Sequence, residues 1–183
     1  MNKTISIKEQ LNKGISKQEI LYNMISYPML YCPDGLYEFA DDMTDEELRS
    51  FKSRAGTYLH IATTKCDLKM VKYFLSRGLD VNCESGILSG GSLIRGALRT
   101  ATPIANAKQI DKEKLKEIKE IIKILLENGA DLHHQIKLGT VNTGNFKPST
   151  IIEVITKLVP LKDEEIVNMV KEYYYKDVYN ENK

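Results

Sequence analysis

Three groups of side chains have the types that catalysis or metal binding requires. His60 is isolated, His133 and His134 are adjacent, and seven acidic residues lie between Asp34 and Glu47 with no lysine or arginine among them. A catalytic histidine needs a nucleophile and an orienting partner, a zinc site needs three or four ligands, and a calcium loop needs a DxDxDG-like spacing. The sequence offers none of these companions, so we predict structural or surface roles. Docking of the acidic stretch to a basic partner is the alternative.

Motifs for nucleotide binding and hydrolysis are also absent from the sequence. The chain contains no Walker loop, HExxH or GxSxG, and its glycine-rich stretch 86–96 precedes neither a lysine-serine pair nor a strong strand. We therefore predict that the protein is not an enzyme and carries no cofactor and no metal ion.

Composition narrows the class of protein. The chain has 183 residues, 26 basic and 25 acidic, so its net charge of +1 gives no reason to expect nucleic acid or a membrane surface as partner. No apolar run approaches the ~18 residues of a spanning helix, and Lys8 and Glu9 interrupt any signal sequence. Three cysteines without a CxxC pattern are typical of a reducing compartment. These features predict one cytoplasmic domain.

Two stretches of the chain resemble each other. The first reads Gly-Thr-Tyr-Leu-His-Ile-Ala over 56–62 and ends Arg-Gly-Leu-Asp-Val-Asn over 77–82; the second opens Thr-Pro-Ile-Ala-Asn-Ala over 102–107 and ends Asn-Gly-Ala-Asp-Leu-His over 128–133. Both resemble the ankyrin repeat, a β-turn and two antiparallel helices with a T-P-L-H-x-A signature and a period of about 33 residues. The resemblance implies a structural role for His60, which bonds neighbouring backbone in that family.

The predicted fold class is therefore all-α, a short ankyrin-repeat solenoid with non-standard helical caps at both ends. Capping boxes at Ser6, Ser16 and Thr44 predict helices in the N-terminal region, and Asp111 is a good N-cap for a long helix to about residue 126. A degraded third copy starts at Thr150. The single domain divides into an N-terminal cap (1–54), repeat 1 (55–82), an extended finger loop (83–101), repeat 2 with a lengthened outer helix (102–133), and a degenerate repeat 3 with the C-terminal cap (134–183).

The finger loop is the predicted partner-binding element, because loops on a rigid scaffold commonly carry function. The two signatures lie 45 residues apart, about 12 more than the family period, and the excess is rich in glycine and serine. A second long loop, 135–149, would emerge on the same side. The alternative is that the finger folds back and buries its apolar side chains. The predicted partner-binding residues are Tyr58, Ile87, Leu88, Leu93, Arg95, Arg99, Asn142, Asn145 and Phe146.

The family resemblance implies a non-catalytic protein–protein interaction module. Small bacterial ankyrin proteins that act as inhibitors or immunity proteins are similar in size and build, so we expect binding and inhibition of a partner such as a toxin enzyme. The alternatives are an exported effector that engages a host protein, and a scaffold subunit that self-associates through Tyr173, Tyr174 and Tyr175. The protein itself is expected to be a monomer or a weak homo-oligomer.

Overall fold

The computed structural model describes residues 5–31, 35–83, 92–133, 136–138, 147–158 and 161–181. This part of the chain is mostly helical, which confirms the all-α class, and includes one short strand pair. The helices are α1 (Ile7–Asn12), α2 (Lys17–Ser26), α3 (Leu36–Asp41), α4 (Asp45–Ser50), α5 (Tyr58–Thr64), α6 (Leu68–Ser76), α7 (Leu93–Ala105), α8 (Lys112–Glu127), α9 (Ile151–Glu153, continued by a π-helical turn Val154–Leu158) and α10 (Glu164–Glu181). No helix among the described residues has the length and apolar character needed to cross a membrane.

Side-chain caps begin most of the predicted helices where the sequence places them. Ser16 Oγ accepts a hydrogen bond from the backbone N–H of Glu19 at 3.2 Å. Thr44 and Glu47 form a reciprocal capping box, with bonds of 3.1 and 2.8 Å. Asp111 accepts from the N–H of Lys114 at 3.1 Å and starts α8. Each cap satisfies N–H groups that a helix start leaves unpaired.

Successive helix pairs pack mainly against the neighbouring pair. Helix α5 packs on α6 and α7 on α8; between pairs, α5 contacts α7 and α6 contacts α8. At the two ends of this series, α2 contacts α5 and α10 contacts α8. Buried residues from helices α2 to α10 form one continuous hydrophobic core.

An aromatic ladder joins the N-terminal helices to the α5–α6 pair. Six rings contact one another in series, with centroids between 4.3 and 5.7 Å apart: Tyr22, Phe51, Tyr58, Phe74, Tyr73 and Tyr37. Such offset and edge contacts add to the burial of large apolar areas. The aromatic residues of the first half of the chain thus hold its N-terminal region in place.

Arg77, in the turn after α6, also holds the N-terminal helices in place, through hydrogen bonds at the surface. Its Nε donates to Asp45 Oδ1 at 2.6 Å, and its two terminal nitrogens donate to the backbone carbonyls of Ala40 at 3.2 Å and Met43 at 2.7 Å. One terminal nitrogen also bonds the Tyr73 hydroxyl at 2.7 Å. Part of the acidic stretch is therefore docked on a basic residue of its own chain.

The predicted finger loop 83–101 is wrong from residue 93 onward. Ser92 is the N-cap of α7, and Leu93, Ile94, Ala97, Leu98 and Ala101 form the buried face of that helix. Burial of this apolar stripe outweighs the local loop signal of the nearby glycines. Residues 84–91, the rest of the predicted finger, lie outside the described residues.

The predicted start of the second repeat is displaced for the same reason. Thr102 and Pro103 lie in the last turn of α7 rather than at a helix start. The N-cap of α7 is Ser92, which stands 35 positions after Thr57, the N-cap of α5. The interval between corresponding helix starts is therefore 35 residues, not 45.

The C-terminal region matches its predicted helices but not its predicted loop. Strands β1 (Ile136–Leu138) and β2 (Lys147–Ser149) pair antiparallel within the segment expected to be a loop. Thr150 and Glu153 exchange capping bonds of 3.2 Å at the start of α9. Asp163 Oδ1 accepts from the N–H of Ile166 at 3.1 Å and begins α10.

Candidate protein-binding site

Helix α7 presents two arginines on the face opposite its buried stripe. Arg95 and Arg99 are four residues apart, so their side chains lie on the same side of the helix. Arg99 is exposed and Arg95 is half-buried. Pro103 follows on this face one turn later and cannot donate an N–H to the carbonyl of Arg99. The predicted residues Arg95 and Arg99 are thus brought together on an accessible surface, the arginine face.

The two positive charges of this face lie close together, and one of them, on Arg95, is partly shielded from water. Burial lowers the pKa of the Arg95 guanidinium, and the positive charge of Arg99 lowers it further. Arg95 nevertheless remains cationic at neutral pH, because arginine titrates far above it. Like charges at this spacing destabilise a helix by a few tenths of a kcal/mol. Guanidinium groups bind carboxylates through two parallel hydrogen bonds, so an acidic group is the kind of ligand that suits this face.

Arg95 occupies the same place in α7 that His60 occupies in α5. Both are the third helical residue after the N-cap, Ser92 in one case and Thr57 in the other. His60 is buried, and its Nδ1 lies 3.0 Å from Thr57 Oγ1, as expected for a structural histidine. The equivalent position therefore carries a buried ring in one unit and a partly exposed cation in the next.

Gly56 makes room for the buried histidine. A Cβ at this position would lie 2.7 Å from His60 Cβ, closer than carbon atoms pack, and the backbone φ of +103° also favours glycine. The Gly-Thr-x-x-His spacing of the sequence is therefore explained by packing.

Cys83 lies next to His60 in an arrangement that resembles a nucleophile and its base. Its Sγ is 3.5 Å from Thr57 Oγ1 and 3.9 Å from His60 Nδ1. Burial raises the pKa of the Cys83 thiol, although the Thr57 hydrogen bond opposes this. A thiol with a raised pKa stays protonated at neutral pH, and the thiolate is the reactive form. The group is therefore suited to packing and hydrogen bonding rather than to covalent catalysis.

Tyr58 was predicted as a partner-binding residue, and the structure contradicts this. Its side chain is 0% exposed. Its ring stacks on Phe51 at 4.3 Å and on Phe74 at 5.4 Å, and its hydroxyl donates to the carbonyl of Gln18 at 2.7 Å. Burial raises its pKa strongly. Tyr58 joins α5 to the N-terminal helices and is inaccessible to a partner.

Leu93 was also predicted to contact a partner and is instead a core residue. It is 0% exposed because it faces inward from the first turn of α7. Its neighbour Ile94 is buried as well. The remaining predicted contact residues all lie outside the described residues: Ile87, Leu88, Asn142, Asn145 and Phe146.

A groove between α8 and α10 was not predicted. Two adjoining cavities of about 310 and 250 Å³ share Lys119, Glu120 and Glu165 in their linings. Lys119 bonds Asp163 at 2.9 Å and Glu165 at 2.5 Å across the groove. The signal in the sequence was the regular spacing of lysines along α8, but the acidic partners come from a helix more than forty residues away.

Among the described residues, no three His, Cys, Asp or Glu side chains are grouped closely enough to hold a metal ion. Comparison with known proteins adds no assignment: no family model, no curated protein and no solved structure matches this chain.

Proposed function

We propose that this protein is a non-catalytic protein-binding module that engages its partner through the arginine face of α7. The observation that carries the proposal is the pair Arg95 and Arg99, held side by side on a rigid, well-packed helix. Arginine is favoured in the centres of protein interfaces because its planar head binds carboxylates with two hydrogen bonds.

An ankyrin-like architecture is the scaffold we propose for this surface. The interval of 35 residues between the N-caps Thr57 and Ser92 is near the family period of about 33. Corresponding helices of adjacent units contact each other, as they do in stacked repeats.

One side chain also links the turns at the ends of α6 and α8. Asn82 Nδ2 donates to the carbonyl of Gly129 at 2.9 Å, and its Oδ1 accepts from the N–H of Asp131 at 2.8 Å. This bond pair sets the spacing of the two turns, which supports a regular stacking of the units.

The partner we propose is an intracellular toxin enzyme that the protein inhibits, with a one-to-one complex in the cytoplasm. A carboxylate of the partner would lie between the two guanidinium groups. An exported effector with a host target would use the same surface and differs only in where the partner is found.

The test is recovery of the partner by tagged wild-type protein and by two charge-reversed variants. Arg95→Glu/Arg99→Glu changes the arginine face, and Arg49→Glu/Arg54→Glu makes the same change at two exposed arginines elsewhere. We expect a stoichiometric partner with the wild type and the control, its loss with the α7 variant, and unchanged melting of all three. Recovery by the α7 variant at wild-type levels would refute the site. Absence of inhibition of the recovered partner would refute the inhibitor role.

Self-association is the second candidate function, and one observation favours it. Tyr175 on α10 is 60% exposed, whereas Tyr174 beside it stacks on His133 with centroids 4.5 Å apart. Exposed tyrosine is common at interfaces. A scaffold role predicts oligomers in light scattering that grow with concentration and disappear in Tyr175→Ser. A protein that stays monomeric at all concentrations would exclude this role.

A further inference from the structure

Positive and negative side chains form separate strips along the outer surface of α8. Lys112, Lys116, Lys119 and Lys123 follow one another at intervals of four, three and four residues. At 100° per residue these positions fall within an arc of about 60°. The glutamates at 113, 117 and 120 form a neighbouring strip about 100° further round. We call the four lysines the lysine row.

The lysine row borders the groove between α8 and α10. All four lysines contribute to its lining. Leu115, Met169 and Tyr173 add half-buried apolar surface between the charged walls. The groove therefore offers cations along one side and an apolar floor.

The acidic residues of the groove are largely neutralised within the protein. Glu165 pairs with Lys119, and Glu172 pairs with Lys176 at 2.6 Å. Within the described part of the chain, the remaining three members of the row make no ion pair, and the unpaired acid of the lining is Glu120. The groove thus presents three ammonium groups without an ion pair. Against them stand the carboxylate of Glu120 and the one negative charge that Lys119 leaves uncompensated between Asp163 and Glu165.

We propose that this groove binds an extended acidic segment of another protein. The row spans about 17 Å along α8, the length of about five extended residues. Alternate side chains of such a segment point to opposite sides, so acidic ones can reach the lysines while apolar ones contact the floor. A nucleic-acid backbone fits this groove less well, because its phosphates recur without apolar groups between them that could contact the floor.

This surface is separate from the arginine face and does not depend on it. The probe is a fluorescein-labelled peptide, Glu-Leu-Glu-Leu-Glu-Leu, whose acidic and apolar side chains alternate along an extended chain. Its binding is followed by fluorescence anisotropy at low and high salt. We expect saturable binding that weakens as salt rises. Lys112→Gln/Lys116→Gln/Lys123→Gln should weaken it about tenfold, since exposed ion pairs contribute modestly and three are lost.

A matched control separates the groove from general basicity. Lys8→Gln/Lys72→Gln/Lys108→Gln removes three exposed lysines elsewhere and should leave the affinity unchanged. A peptide with serine in place of leucine should bind more weakly. Equal weakening by both triple variants, no binding by the wild type, or tighter binding of a thymidine hexanucleotide than of the peptide would each overturn the proposal. Arg95→Glu/Arg99→Glu should bind the peptide normally, so this test and that of the proposed function can fail independently.

Discussion

The two ends of the helix stack are closed by different kinds of contact. At the N-terminal end, the aromatic ladder, with Tyr58 and Phe74 buried at its centre, and the hydrogen bonds of Arg77 hold α2, α3 and α4 against α5 and α6. At the C-terminal end, α10 packs on α8 through smaller residues such as Ile166 and Val170, and the half-buried Lys119 pairs with Asp163 and Glu165 across the groove. Packed aromatic rings contribute more to stability than such ion pairs do.

The two ends also differ in the roles that we assign to their side chains. At the N-terminal end, Tyr58 and His60 are both buried and serve packing. The two proposed binding surfaces, the arginine face and the groove, both lie on the later helices. We therefore expect the contacts at the N-terminal end to contribute most to stability, and binding to take place toward the other end.

The largest expected effect comes from breaking the ladder. Tyr58→Ala removes a ring stacked on both faces and should lower the free energy of unfolding by about 3–5 kcal/mol. Tyr58→Phe keeps the stacking and loses only the bond to Gln18, so about 1 kcal/mol is expected. Urea denaturation measures both. Similar losses for the two variants would show that the hydroxyl, not the ring, holds this end.

The next effect comes from Arg77. Arg77→Met should cost about 1–2 kcal/mol, because two backbone carbonyls and Asp45 lose their donor while partial exposure limits the ionic part. Arg54→Met, at an exposed arginine without these bonds, should change stability by less than about 0.5 kcal/mol. If both variants lose the same free energy of unfolding in chemical denaturation, Arg77 does not help to hold the N-terminal end.

At the opposite end, Lys119→Met should cost only about 0.5–1 kcal/mol. Burial lowers the pKa of Lys119, but its hydrogen bonds to Glu165 and Asp163 outweigh this, so the pKa is raised above 10.5. Its contribution is therefore complete below that value and is lost as pH rises through the raised pKa. The stability difference between wild type and variant should be constant from neutral pH to about 9 and shrink above 10.5. If Lys119→Met lost as much free energy of unfolding as Tyr58→Ala, the C-terminal end would be held as strongly as the N-terminal end.

The smallest effect is expected at Glu47, which caps α4 at the exposed surface. The backbone N–H of Thr44 lowers the pKa of this carboxyl below 4.5. A lowered pKa stabilises the fold above the ordinary value and ceases to do so as pH falls through the lowered one. The melting temperature of Glu47→Gln should be slightly below wild type at neutral pH and converge with it in acid. Glu46→Gln is the control, and a constant gap down to pH 2 would contradict the cap's ionic character.

Sequence patterns predicted the helix starts well because capping is local. Ser16, Thr44 and Asp111 each bond an N–H three residues later, so a short window contains the whole interaction. The long helix α8 was predicted for the same reason, together with its apolar stripe.

The start of α7 was missed because two signals competed. Thr102-Pro103 matches the repeat signature more closely than Ser92-Leu93 does, but the chain folds to bury an apolar stripe. That stripe, at Leu93, Ile94, Ala97 and Leu98, was readable at helical spacing in the sequence.

The groove could not be predicted from the sequence, because its charge depends on ion pairs between residues that lie far apart in the chain. Lys119 pairs with Glu165, 46 positions later. Such pairs determine which lysines remain without an ion pair. The spacing of the lysines alone does not distinguish a binding surface from a solvated helix.

The aromatic ladder has a consequence for the order of events during synthesis. All six of its rings lie between residues 22 and 74, so no later part of the chain is needed to complete it. Because a ribosome delivers the N-terminal part first, this end can close while α7 to α10 are still being translated. The finished unit then offers a preformed surface on which each following helix pair assembles.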